Sequence, residues 1–238
     1  MRLFCLPHAG GGASAFHSWH AAFAPLIQVC PILLPGRESR LSEPLYTNFD
    51  QLLEALSEEL RPWLDVPFAV FGHSMGALLA FEWVRRLQRE GPRLPSRVFL
   101  SGRRAPDASD EAGLLSPLSD AEFVDELAHR YQGLPDELLC EPELMAVMLP
   151  ILRADISVVE SYRFTEGEQL SCPTMVSAGI DDATVPFDQL VGWQRHVDSR
   201  FEVQIFPGGH FYPEGPLISA ISAALTNSSA EPWSGREA

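Results

Sequence analysis

Short apolar runs alternate with stretches of helical spacing along most of this chain. Residues 2–6, 29–34, 68–71, 97–101, 173–178 and 201–206 read as buried strands. Between them, Phe16, Trp19 and Phe23 predict a short amphipathic helix. Phe49, Leu52, Leu53, Leu56, Leu60 and Leu64 predict a longer one, with Thr47 or Asn48 placed to cap its start. Further helices are expected over 77–84, near 187–197 and near 215–225. Strand, helix, strand, helix in this order predicts an α/β fold: a mostly parallel, doubly wound sheet with helices on both faces.

The alternation breaks between about 103 and 167, where no strand pattern stands out. Helical candidates fill the gap instead, at 119–131, 135–139 and 142–162. Helices inserted there are expected over the strand ends, as a helical lid above the crevice where ligands bind in open α/β folds. Such a lid can exclude water and shape a tunnel for an acyl chain. Residues 1–226 form one expected domain, with no internal repeat and no long linker. The polar stretch 227–238 is expected to be a disordered tail.

At 238 residues the chain suits a single α/β domain. A hydrophobic content of 46% with 21% charged residues is ordinary for a soluble protein. The formal charge of −15 argues against a nucleic-acid partner, since phosphate binding needs a basic surface. The N-terminal apolar run is too short for a signal-peptide core, and no stretch approaches the roughly 20 apolar residues of a membrane span. Cys5, Cys30, Cys140 and Cys172 are widely spaced with no C-x-x-C pair, which predicts free thiols in a reducing cytoplasm and no metal site.

The chemistry centres on Gly72-His73-Ser74-Met75-Gly76, set between an apolar run and a helix. This is the pattern of a nucleophile elbow. A strand turning sharply into a helix strains the residue at its apex and brings the flanking backbone too close for side chains, so glycine fits on both sides. The serine oxygen is then exposed at a helix N-terminus, whose amides face developing negative charge. The glycine-rich loop His8-Ala9-Gly10-Gly11-Gly12 lacks the lysine of a P-loop and suits an oxyanion hole instead.

A serine hydroxyl needs a base, and the base needs a group that fixes its tautomer. On α/β-hydrolase scaffolds the chain order is Ser, acid, His. His8, His17 and His20 precede the serine; His73 adjoins it and is expected to point elsewhere. His129 falls in the insertion, and His196 on a helix expected to be exposed. His210, in a Gly-Gly-His loop after the last strand, is the candidate base. Asp182, fourth in Gly179-x-x-Asp182, ranks first as the acid. Asp107, after an earlier strand, ranks second, and Asp181 third.

These residues resemble the type II thioesterases, the stand-alone editing enzymes of nonribosomal peptide and polyketide assembly lines. The resemblance rests on Leu6-Pro7-His8-Ala9-Gly10-Gly11, Leu34-Pro35-Gly36-Arg37-Glu38-Ser39-Arg40, the elbow, Leu149-Pro150-Ile151-Leu152-Arg153-Ala154-Asp155, the Gly179-x-x-Asp182 loop and Gly208-Gly209-His210-Phe211. It implies hydrolysis of acyl thioesters on the phosphopantetheine arm of acyl or peptidyl carrier proteins. These would be transient partners of a cytoplasmic monomer that uses no cofactor of its own. It also implies Ser74 as nucleophile, His210 as base, Asp182 as its orienting acid, and the backbone amides of Met75 and Ala9 as the oxyanion hole. A medium-chain fatty acyl carrier thioesterase and a carboxylesterase acting on free oxyesters are the competing readings. Arg37, Arg40, Arg153 and Asp155 match the resemblance without a derived catalytic role.

Overall fold

Six strands, β1 (Arg2–Leu6), β2 (Gln28–Pro31), β3 (Phe68–His73), β4 (Val98–Ser101), β5 (Thr174–Gly179) and β6 (Phe201–Phe206), build one sheet in the order β2-β1-β3-β4-β5-β6. Every neighbouring pair is parallel. The structure is a computed structural model that describes residues 1–108, 113–131 and 141–227. Its helices are α1 (His17–Phe23), α2 (Phe49–Leu60), α3 (Met75–Glu90), α4 (Asp120–Tyr131), α5 (Pro142–Ser161), α6 (Phe187–Val191) and α7 (Glu214–Asn227).

The strands sort their side chains by the two-residue period of β structure. Phe4, Leu6, Val70, Leu100 and Val176 face α2 and α3, where they meet Leu56, Leu79 and Trp83. Leu3, Cys5, Phe71, Phe99 and Met175 face α1 and α7, where they meet Trp19, Phe23 and Ile221. With both faces covered, β3 and β4 read as continuous apolar runs, which is how the sequence marks them. The strand order reverses direction at β1, with β2 on one side and β3 on the other. The crevice at such a switch lies outside the carboxyl ends of the strands. The loops after β1 and β3 both open there.

Some elements are shorter than their apolar runs. The strand expected over 29–34 ends at Pro31, which has no N–H to donate, although Ile32 N still reaches Cys5 O at 2.9 Å. The helical stripe reaching Leu64 leaves α2 at Leu60 and tightens into a 3-10 turn over Arg61–Trp63. Pro62 there would break the preceding helical hydrogen bond. The helix expected over 187–197 likewise splits into α6 and a 3-10 turn, Gly192–His196. His196, expected on an exposed face, is buried against Phe81, Phe164 and Trp193. The aromatic residues around it, far apart in sequence, account for the difference.

Between β4 and β5 the described residues hold α4 and α5 and no named strand. The helices pack through Leu115, Phe123, Leu127, Leu152 and Ile156, with Ala9 of the glycine loop against them. The expected helix at 135–139, Cys140 and residues 228–238 of the expected tail lie outside the described residues. Cys5, Cys30 and Cys172 are free thiols. Among the described residues no helix is long and apolar enough to cross a membrane.

Of the two candidate caps for α2, Asn48 takes the role: its side chain accepts a hydrogen bond from Gln51 N at 3.1 Å. Asn48→Ala is expected to lower the unfolding free energy by about 1 kcal/mol, read from urea denaturation. An unchanged midpoint and slope would show that the cap contributes nothing.

Candidate active site

Ser74 stands between β3 and α3 at φ 55° and ψ −112°, a backbone region that side-chain-bearing residues rarely occupy. Its own N–H is used, donating to Ser101 O of β4 at 2.8 Å. The two flanking glycines are sterically required. A Cβ on Gly72 would run into the backbone oxygen of Gly76, and one on Gly76 into the carbonyl of Leu6 at the end of β1. Met75 opens α3, so its amide has no acceptor within the helix.

The loops after β5 and β6 meet beside this turn. Their backbones touch so closely that a Cβ on Gly179 would collide with the carbonyls of Gly208 and Gly209. Ile180 N and Asp181 N donate across the junction to Phe206 O at 2.8 Å and Gly208 O at 2.9 Å. Asp182, 6% exposed, and His210, 4% exposed, are joined through Oδ2 and Nδ1 at 2.8 Å. The other carboxylate oxygen accepts from Thr184 N at 2.9 Å and Thr184 Oγ1 at 2.6 Å. Burial pushes the Asp182 carboxyl up. The hydrogen bond and charge of His210, with the Thr184 bonds, outweigh it and hold the group below its ordinary value. An ionised carboxylate only accepts, so Nδ1 carries the proton and Nε2 is left as the basic nitrogen. Among the described residues that Nε2 is buried without a hydrogen-bond partner. The His210 ring lies 5.1 Å from that of His73, next to Ser74, and 4.9 Å from Tyr131 at the end of α4.

The other two aspartates are placed elsewhere. Asp107 pairs with His196 Nε2 and Arg195 Nη2, each at 2.9 Å, and Asp181 is exposed. The structure therefore brings Asp182, and neither alternative, to His210.

Sequence reasoning set aside His8 and His73, yet both pack here. His8 rests on Phe211 at 4.8 Å and His73 at 6.0 Å between ring centroids. His73 does not point away: its Nδ1 bonds Ser101 Oγ at 2.7 Å, which in turn bonds the Tyr212 hydroxyl. Burial, then the positive charge that His210 can carry, then Arg37, lower His8 to about 4. Burial, then His210 and His8, lower His73 well below its ordinary value. Both are thus neutral neighbours of His210 near neutral pH. No spacing rule in the sequence would have found them, because they come from the ends of different strands.

The glycine loop is held by the two motifs left without a role. Arg37 Nη1 and Nη2 donate to Asp155 Oδ2 and Oδ1 at 2.7 and 2.8 Å, and Gly10 N donates to the same Oδ2 at 2.7 Å. Glu38 accepts from Ser14 N at 3.1 Å and Ser14 Oγ at 2.6 Å. Arg153 ties α5 to α4 through Asp120 and lies over Phe123 at 4.5 Å, while Arg40 binds Glu43 and Glu59. A cleft of about 570 Å³ opens beside the loop, lined by Gly10, Arg37, Leu41, Val147, Met148 and Ile151 among others. Among the described residues no group of three or more His, Cys, Asp or Glu side chains could hold a metal ion.

A parallel sheet carrying a strained serine between strand and helix defines an α/β-hydrolase fold. A family model described as the thioesterase domain matches residues 1–225. The chain is 41% identical over 212 residues to the gramicidin S biosynthesis protein GrsT of Aneurinibacillus migulanus, covering 89% of this chain and 82% of that one. Among solved structures it is similar to the RedJ thioesterase of the prodiginine pathway in Streptomyces coelicolor. The TM-score is 0.87 at 33% identity, over 93% of this chain and 85% of that one. BorB, the type II thioesterase from the borrelidin biosynthetic cluster, gives 0.84 at 37% identity, over 95% and 91%. The chain belongs to the thioesterase domain family.

The histidine cluster sets a pH dependence of stability. His8 takes its proton at about 4 in the folded protein and near 6.5 when unfolded, so between those values the unfolded chain holds more protons. Stability contributed by neutral His8 is therefore present above about 6.5 and lost as pH falls toward about 4. His8→Asn is expected to narrow the difference in unfolding free energy between about pH 7 and about pH 4.5, measured by urea denaturation. An undiminished difference would place the acid sensitivity elsewhere.

Proposed function

We propose that the protein hydrolyses acyl groups from the phosphopantetheine arm of carrier proteins in nonribosomal peptide or polyketide synthesis, acting as a stand-alone editing thioesterase. The observation that carries this is the buried Asp182–His210 hydrogen bond at 2.8 Å, set beside a serine in a strained elbow. The biosynthetic names of GrsT and BorB support the substrate class.

Ser74 Oγ attacks the thioester carbonyl carbon, and its proton passes to His210 Nε2. The carbonyl oxygen becomes an oxyanion that accepts hydrogen bonds from Met75 N–H and Ala9 N–H. Collapse breaks the C–S bond, and His210 returns the proton to the leaving thiolate. A water deprotonated by the same nitrogen then releases the acid and restores the serine. Asp182 holds the imidazole in one tautomer and balances the imidazolium. The insertion of α4 and α5 serves as the lid, and the cleft beside Ala9 offers the arm a way in. Carrier proteins are usually acidic, as is this chain, so docking rests on apolar contact; Leu41 and Val147 are exposed apolar side chains lining that cleft.

Ser74→Ala is expected to abolish release of acyl groups from a loaded carrier protein and labelling by a fluorophosphonate. Asp182→Asn should lower kcat by about a thousandfold or more, while Asp107→Asn leaves it unchanged. Full activity in Ser74→Ala would overturn the mechanism. Faster turnover of matched oxyesters than of acyl-pantetheine thioesters would overturn the substrate class.

A further inference from the structure

We infer that Arg37 and Asp155 are positioning residues for the oxyanion hole, holding the turn that carries the Ala9 amide. The inference rests on the role proposed above for Ala9.

The turn is His8-Ala9-Gly10-Gly11, closed by Gly11 N donating to His8 O at 2.9 Å. Gly10, its third residue, has φ +78°, as a type II turn requires at that place. Types I and II differ by a flip of the central peptide, here the one joining Ala9 to Gly10. The N–H of that peptide is the group Asp155 Oδ2 binds, at 2.7 Å. Arg37 holds the following residue from its other side, Nη1 donating to Gly11 O at 3.1 Å. Both sides of Gly10 are thereby tied to one bidentate pair, in which Asp155 is 1% and Arg37 4% exposed. The Ala9 amide lies one residue before the anchored N–H and is absent from every hydrogen bond recorded among the described residues.

Stability alone does not call for this arrangement. A buried ion pair often holds a fold no better than apolar residues of the same volume would. An apolar pair, however, could not accept from Gly10 N–H or donate to Gly11 O. Nor could a lone carboxylate do the work, because its charge would oppose an oxyanion forming nearby. Arg37 supplies the compensating charge in a fork that lysine cannot reproduce.

Asp155→Asn and Arg37→Lys are the tests, with rates expressed per Ser74 site titrated by fluorophosphonate so that misfolded protein is not counted. Both variants are expected to lower kcat about tenfold to a hundredfold with KM nearly unchanged, as displaced oxyanion donors do. The inhibition constant of an acyl trifluoromethyl ketone, whose serine adduct carries the same oxyanion, should rise by a similar factor. Arg37→Lys keeps the charge and is read in place of Asp155→Asn if that variant does not fold. Wild-type kcat per site and wild-type inhibition, with only a lower Tm, would overturn the inference and leave the pair a structural tie. A raised KM at unchanged kcat would overturn it too. Activity surviving in Ser74→Ala would instead sink the proposed mechanism.

Discussion

The crowding of backbone at the elbow is the constraint on which the rest of the site depends. Gly72 lies against Gly76, and Gly76 against the last carbonyl of β1, with no room for a Cβ at either place. This contact puts the end of β1 beside the first turn of α3, since Leu6 and Gly72 are register partners in the sheet. The loop after β1 and the serine after β3 are therefore neighbours by sheet order, and the Ala9 and Met75 amides with them. The loops of β5 and β6 meet by the same kind of contact, Gly179 against Gly208 and Gly209. Between the two junctions runs a hydrogen-bonded chain from His73 Nδ1 to Ser101 Oγ, the Tyr212 hydroxyl and Ser177 Oγ, at 2.7, 2.5 and 2.9 Å. It crosses β3, β4 and β5 and reaches the residue two places beyond His210. The spacing between serine and histidine is thus set by sheet and side-chain bonds together.

Three aspartates show how little residue type alone decides. Asp182 faces an imidazole whose other nitrogen is free for chemistry. Asp107 faces His196 as well, but that histidine is enclosed by Phe81, Phe164 and Trp193. Asp155 faces an arginine that is never a base. The partner gives each carboxylate its part, and the partner is a matter of tertiary structure.

That is also where legibility in the sequence ends. The parallel sheet, the elbow and the order serine, acid, histidine were readable, because each rests on a local pattern: an apolar run, a glycine spacing, a position just after a strand. Asp182 was separable from Asp181 by the glycine three residues before it, a residue the structure shows to be required by the crossing of two loops. Asp107 could not be dismissed in advance, since its pairing with His196 spans 89 positions. The neutral pair His8 and His73, Tyr131 against His210, and the fastening of Gly10 by Asp155 were hidden for the same reason. The misjudged lengths of β2 and α2 had a different cause, the prolines at 31 and 62 overriding runs that remain apolar beyond them.

The two helices of the insertion are held by ties of unequal strength. α5 is anchored to the glycine loop by Asp155, and breaking a buried pair of that kind costs about 3–5 kcal/mol. α4 is tied to α5 by Arg153 and Asp120, whose side chains are 25% and 73% exposed, and such a pair is worth about 0–1 kcal/mol. Phe123 and Leu127 also pack against Leu152 and Ile156. Under the lid role proposed above, the weaker polar tie favours displacing α4 over displacing α5, which would pull Asp155 from Gly10. Such a displacement of α4 would part Tyr131 from His210 and leave Asp155 on Gly10. The helix bound to the glycine loop through Asp155 is thus not the helix whose end touches His210. On the roles proposed for the Ala9 and Met75 amides, such a site can vary what it accepts without disturbing them.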